Sequence, residues 1–226
     1  MIRASSSAPS RARVGLSQDL VVAAARALVE ANGLDKLSLR AVAAQLGVAV
    51  NTVAWHVGDK EGLLTALADA MIADCVPDEL PELPEARVRA LLDRLYLALS
   101  SQRDGGRLAR KGFVGAKPHT SKFSEVLLGA LRDSGRGPRE AAWTAWTLIH
   151  FVLGLVDEEQ ESIGHHPPSE LTVTGPPDHP FLRESLGYLT EQSFPERFAY
   201  GVDLILGSTG QPDPEPIPTS RPGSAG

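Results

Sequence analysis

Amphipathic segments at helical spacing follow one another along almost the whole chain, and no segment alternates convincingly as a strand does. The nearest strand candidate, 170–174, is short and lies between two Pro-Pro pairs, so it is predicted as a loop. An all-α fold is therefore predicted. The helical segments are 17–33, 38–47, 50–57, 59–76, 88–99, 121–132, 138–160, 181–191 and 194–206.

Composition limits the class of protein. Hydrophobic residues make up 42% of the 226 residues and charged residues 22%, which excludes a wholly disordered chain. Cys75 is the single cysteine, so an intrachain disulfide and a cysteine-based zinc site are excluded. No apolar run approaches membrane-spanning length, and the N-terminus has no apolar signal segment. We expect a soluble, cytoplasmic protein without a membrane segment.

Charge divides the chain into two parts. The net charge is −6, yet residues 1–60 hold seven basic and four acidic residues, so they carry +3 and the remainder carries −9. A basic first part and an acidic second part are expected to meet different partners. With the helical pattern, this predicts a disordered basic arm over 1–15, a helix-turn-helix domain over 16–62, a helical body over 63–206 and a disordered tail over 207–226.

Residues 37–57 have the pattern of two short helices that cross at a steep angle. Ala43 is small where the helices would touch, and Gly47 is free to adopt a positive φ between them. The second helix could then project as a reader of the DNA major groove. The side chains predicted to fill the wedge between the helices are those of Val42, Leu46, Val48 and Val53.

The outward residues of this motif predict contacts to DNA. Asn51 and Thr52, at the start of the reading helix, could reach base edges, and Asn suits bidentate pairing with adenine. Other residues would position the phosphate backbone. The alternative is an ordinary helix corner in which Trp55 and His56 belong to the core. The predicted phosphate contacts are Ser38, Arg40, Trp55, His56 and Lys60.

The residues around the motif distinguish these alternatives by resemblance. Residues 37–67 resemble the N-terminal domain of tetracycline-repressor-like (TetR family) regulators. The resemblance implies a three-helix DNA-binding head, joined by the helix 59–76 to an all-helical ligand-binding and dimerisation body. It is carried by Ser38-Leu39-Arg40, Leu46-Gly47-Val48, Thr52, Trp55-His56-Val57, Lys60 and Leu63-Leu64.

A helical stripe in the second part predicts a binding pocket for a small-molecule effector. Trp143, Trp146 and His150 fall on one side of the segment 138–160, which pairs aromatic area with a titratable group. The alternative is that the tryptophans are core residues. Residues 147–160 also resemble the tetracycline repressor subgroup, which favours His150 as pocket lining. The predicted ligand-binding residues are Trp143, Trp146, His150, Phe113, Phe123 and Leu91.

No cofactor and no metal site are predicted. The subgroup's metal-binding histidine has no counterpart, because no histidine lies between His56 and His119; the acidic ligand remains as Glu158. The loop histidines His165, His166 and His179 lack a cysteine or a rigid helical pair that would complete a zinc site.

The resulting hypothesis is a ligand-responsive, homodimeric regulator, a repressor that binds a palindromic operator and is released by a small molecule. The dimer interface is predicted from the segments 138–160 and 194–206, through a four-helix bundle. Two alternatives remain: a helical enzyme that uses His150, Asp157 and Glu158, or a protein-interaction module. The apolar positions predicted for the interface are Ile149, Val152, Val156, Phe198, Val202 and Ile205.

Overall fold

The computed structural model describes residues 15–112, 117–163, 179–189 and 193–207. These residues form ten α-helices and one short 3₁₀ turn, Leu34–Lys36, and no strand. The prediction of an all-α fold is confirmed. The predicted arm and all of the tail after residue 207 lie outside the described residues, apart from Gly15, as does the strand candidate 170–174. The helices are α1 Gln18–Asn32, α2 Leu39–Leu46, α3 Val50–Val57, α4 Lys60–Met71, α5 Pro84–Ser100, α6 Gly105–Gly112, α7 Pro118–Asp133, α8 Pro138–Ile163, α9 Pro180–Leu189 and α10 Phe194–Gly207.

Contacts divide the chain into two compact units, Met1–Leu63 and Leu64–Gly226. In the first unit, α1 and α2 begin at serines whose hydroxyl oxygens accept backbone N–H bonds: Ser17 from Leu20 at 3.3 Å and Ser38 from Ala41 at 3.2 Å. Such caps satisfy amides that have no partner within a helix. Local chemistry therefore fixes where these two helices start.

The second unit buries mainly aliphatic side chains from α5, α7 and α8, together with parts of α4, α6 and α10. Its helix α4 ends at Met71 rather than near residue 76, because the chain then tightens into short turns, such as Cys75 N–H to Ile72 O at 3.1 Å. Val76 precedes Pro77, and a residue before proline is disfavoured in the α conformation. Cys75 nevertheless remains buried.

None of the helices in the described part of the chain is both long and apolar enough to cross a membrane.

Candidate functional site

The helix-turn-helix corner is formed by α2, Gly47 and α3. Gly47 has φ 67° and ψ 33°, the left-handed conformation that a side chain disfavours. Its neighbour Val48 donates a backbone N–H to Ala43 O at 3.0 Å, which closes the end of α2. Val42, Ala43 and Val53 are buried at the helix junction, while Leu46 and Val48 are half-buried. The corner is thus held by small apolar side chains, and the opposite side of α3 faces solvent.

The outer face of α3 brings the predicted base-reading residues together. Asn51 and Thr52 are both exposed in its first turn. Ala49 precedes the helix and makes no side-chain capping bond. Val50, the first residue of α3, is also exposed although it is apolar. Sequence reasoning did not select Val50, because its residue type matches the helix's apolar pattern.

The predicted phosphate contacts flank this face within the first unit. Arg40 and Lys60 are exposed at the starts of α2 and α4, while the Ser38 hydroxyl caps α2. Trp55 is 82% exposed, so it is not a core residue of this unit. Its ring meets that of half-buried His56 edge-on, with centroids 4.7 Å apart.

The predicted effector residues of the second unit differ in their exposure to solvent. Leu91 and Phe123 are completely buried. Trp143 and Trp146 are 62% and 65% exposed, and His150 is exposed beside Trp146 with ring centroids 4.1 Å apart. Phe113 lies outside the described residues.

The apolar positions predicted for the dimer interface are mostly buried within the single chain, so other side chains of the same two helices are the ones exposed to a partner. Val152 and Val156 of α8 are completely buried, and Ile149 is 8% exposed. In α10, Phe198 and Val202 are buried and Ile205 is half-buried. The aliphatic side of α8 packs inward because it fits the interior formed by neighbouring helices. The exposed apolar side chains of α8 and α10 are Trp143, Trp146, Tyr200 and Leu204.

A buried carboxylate in the second unit caps a helix to which it does not itself belong. Asp69 of α4, 7% exposed, accepts hydrogen bonds from the backbone N–H and the hydroxyl of Thr120, both at 2.8 Å. Lys117 precedes α7 without a capping bond of its own, and Pro118 has no N–H. Asp69 therefore supplies the acceptor that the start of α7 lacks.

The comparisons with known proteins cover nearly the whole chain. The family signature "Bacterial regulatory proteins, tetR family" matches residues 21–67, which include the helix-turn-helix. The chain is 31% identical over 205 residues to the tetracycline repressor protein class E of Escherichia coli, a match that spans 88% of this chain and 93% of the relative. The chain belongs to the tetR family of bacterial regulatory proteins.

Solved structures agree with this membership in the TetR family. A possible TetR family transcriptional regulator from Streptomyces coelicolor A3(2) superposes with a TM-score of 0.71 at 28% identity, covering 84% of this chain and 97% of the other. A TetR variant from Acinetobacter baumannii AYE in complex with minocycline gives 0.64 at 26% identity, covering 85% and 96%. This TetR-family protein is a ligand-responsive, DNA-binding transcriptional regulator.

His150, Asp157 and Glu158, the residues of the alternative enzyme hypothesis, each contact a different partner in this TetR-family regulator. The ring of His150 is hydrogen-bonded through Nδ1 to the backbone O of Trp146 at 2.8 Å. Asp157 Oδ2 pairs with Arg110 at 2.6 Å, and Glu158 pairs with Arg197 at 3.2 Å. Burial raises the pKa of the Asp157 carboxyl, an effect that nearby Arg110 opposes. Its Oδ1 is buried without a hydrogen-bond partner.

Of the possible metal ligands named from the sequence, the structure describes Glu158 and His179. The Glu158 side chain is 62% exposed and ion-paired, and His179 is exposed. His165 and His166 lie outside the described residues. No group of three metal-ligating side chains occurs among the residues described.

Proposed function

We propose that this TetR-family protein is a homodimeric repressor that binds a palindromic operator and is released by a small-molecule effector. The observation that carries the proposal is the solvent-facing first turn of α3, with Asn51 and Thr52 side by side. Two-fold related heads would read half-sites about one helical turn apart, roughly 34–36 Å. As a regulator acting on DNA, it would work in the cytoplasm and without enzymatic activity.

The exposed side chains of the first unit would divide their work on DNA. Asn51 and Thr52 would contact base edges, which carry the sequence information. Arg40 and Lys60 would contact phosphates, with Ser38, Trp55 and His56 beside them. Phosphate contacts contribute affinity that falls as salt displaces them. The net charge of the first sixty residues is only +3, so the affinity for DNA should depend only modestly on salt concentration.

A gel-shift titration against the DNA upstream of the protein's own gene tests these roles. Arg40→Ala should weaken binding at every sequence and lower the salt slope by about one. Thr52→Ala should mainly reduce the preference for the operator over random DNA. Lys122→Ala, which removes an exposed cation from α7, is the matched control and should change neither. If wild type shifts random and upstream DNA alike, the repressor proposal fails.

The exposed face of α8 and α10 would form the dimer interface. The two helices pack so closely that an added Cβ at Gly201 would overlap the edge of the Phe151 ring at Cζ. Tyr200 precedes Gly201 and His150 precedes Phe151, so their exposed faces flank this contact. Large exposed apolar patches of this kind indicate association. A second copy would bury the tryptophans and complete a four-helix bundle.

Leucines of equal exposure provide a matched test of the interface. Leu204 of α10 and Leu97 of α5 are each 62% exposed. Leu204→Glu should convert the dimer to a monomer in sedimentation velocity, because burying an unpaired charge is costly. Leu97→Glu should leave the dimer intact. A dimer that tolerates Leu204→Glu would contradict the assignment of this face.

The effector would act by binding one state of the dimer better than the other, since a ligand of equal affinity shifts no equilibrium. A thermal-shift screen of small molecules identifies it, because a ligand that binds the folded state raises stability. The ligand-binding roles predicted for six residues stay a prediction: Leu91, Phe113, Phe123, Trp143, Trp146 and His150. Trp146→Ala should reduce the thermal shift, and because a second copy would also bury Trp146, sedimentation velocity distinguishes a lost effector contact from a lost dimer.

A further inference from the structure

Val50 breaks the polar character of the reading face of α3. It is the first residue of the helix, and 37% of its surface is exposed. Asn51 and Thr52 follow it, while Val53 is completely buried and supplies the contact with the interior of the unit. Valine is also a poorer helix former than alanine. Neither packing nor helix propensity therefore accounts fully for an apolar, branched side chain at this position.

We infer that Val50 reads the 5-methyl group of a thymine in each operator half-site. This inference rests on the proposed function. Residues at the start of a reading helix reach base edges in the major groove. Thymine alone among the four bases presents a methyl group there, and apolar side chains recognise it. Val50 is the exposed aliphatic side chain in that first turn.

The shape of valine suits this role. Its two methyl groups sit on Cβ and occupy one strongly preferred rotamer in a helix, so little side-chain freedom is lost on contact. The adjacent Asn51 is suited to adenine. Two neighbouring residues of one helical turn would therefore read neighbouring base pairs, and each half-site should contain the thymine within about one or two base pairs of that adenine.

The test begins by selecting the operator from randomised duplex DNA with the full-length protein. Each thymine of the selected site is then replaced by deoxyuridine, which removes the methyl group and keeps the base pairing. At one thymine position, replacement in a single half-site should lower wild-type affinity about four-fold, the value of one buried methyl group, and replacement in both half-sites should lower it about fifteen-fold. Val50→Ala should bind the unmodified operator more weakly and should not respond to deoxyuridine at that position.

Leu20→Ala is the matched control, because Leu20 is a 40% exposed aliphatic residue of the first unit that lies in α1. It should bind like wild type and keep the deoxyuridine response. If no thymine replacement weakens wild type, or if Val50→Ala loses affinity to the same extent at that thymine, the inference is overturned while the repressor proposal stands. If no operator is selected at all, both fail.

Discussion

Replacing Asp69 should destabilise the second unit more than replacing any exposed aspartate. Asp69→Ala removes the acceptor for the backbone N–H and hydroxyl of Thr120, each at 2.8 Å, and for the N–H of His119 at 3.4 Å. Loss of a helix cap costs about 1 kcal/mol, and leaving a buried donor without a partner costs about 1–3 kcal/mol. We therefore expect the free energy of unfolding to fall by about 2–4 kcal/mol.

Calorimetry and urea unfolding measure this loss. For a chain of this size, each kcal/mol corresponds to about 2–4 °C in Tm, so Asp69→Ala should lower Tm by roughly 5–15 °C. Asp69→Asn keeps one acceptor oxygen and should lose less. Asp78→Ala, at an exposed position between α4 and α5, is the matched control and should stay within about 0.5 kcal/mol of wild type.

A double-mutant cycle tests whether the cap itself accounts for the loss. Thr120→Val removes the hydroxyl donor and leaves the backbone N–H. If Asp69 acts through this contact, Asp69→Ala and Thr120→Val together should cost less than the sum of the two single changes. A Tm for Asp69→Ala equal to that of the control, or strict additivity in the cycle, would refute the reasoning.

Other predictions follow from single contacts. Gly106→Ala should cost about 1–3 kcal/mol in urea unfolding, because its Cβ would overlap the Asp157 carboxylate and lie only 3.1 Å from the backbone N of the same residue. Gly129→Ala has open space around it and should instead gain up to about 1 kcal/mol; equal effects would disprove the steric argument. Burial, followed by the charge of Asp74, raises the pKa of the Cys75 thiol from 9.0 to about 11. The thiol should react with Ellman's reagent at pH 8 only after unfolding, and stability should decline between about pH 9 and 11, where only the unfolded state loses the proton.

Helix positions that depend on neighbouring residues could be predicted from the sequence. Ser17, Ser38 and Gly47 mark where α1 and α2 start or end, and the observed bounds follow them. The family resemblance and the all-α fold were both confirmed. Helix α6 was missed, because glycines occupy its first two positions and its last. The signal available in the sequence was the apolar pair Leu108 and Ala109 between Arg107 and Arg110, and the structure buries that pair.

Features that depend on distant residues could not be predicted. Helix α8 has apolar residues on both sides, so periodicity alone could not tell which side faces the interior. Packing against α5, α7 and α10 buries the aliphatic side and leaves the tryptophans exposed. The cap that Asp69 provides joins residues about fifty positions apart, and no local sequence pattern predicts it. The helix corner of the first unit was predictable because its geometry is local.

All three tryptophans of the chain lie at its surface, at positions 55, 143 and 146. Their fluorescence in a single chain is therefore that of indole in water, and unfolding should change the emission wavelength little. Operator DNA would quench or shift emission from Trp55, and association would shift the emission of the other two toward the blue. Variants that keep one tryptophan at a time would let a fluorimeter follow DNA binding and subunit assembly separately, without any attached dye.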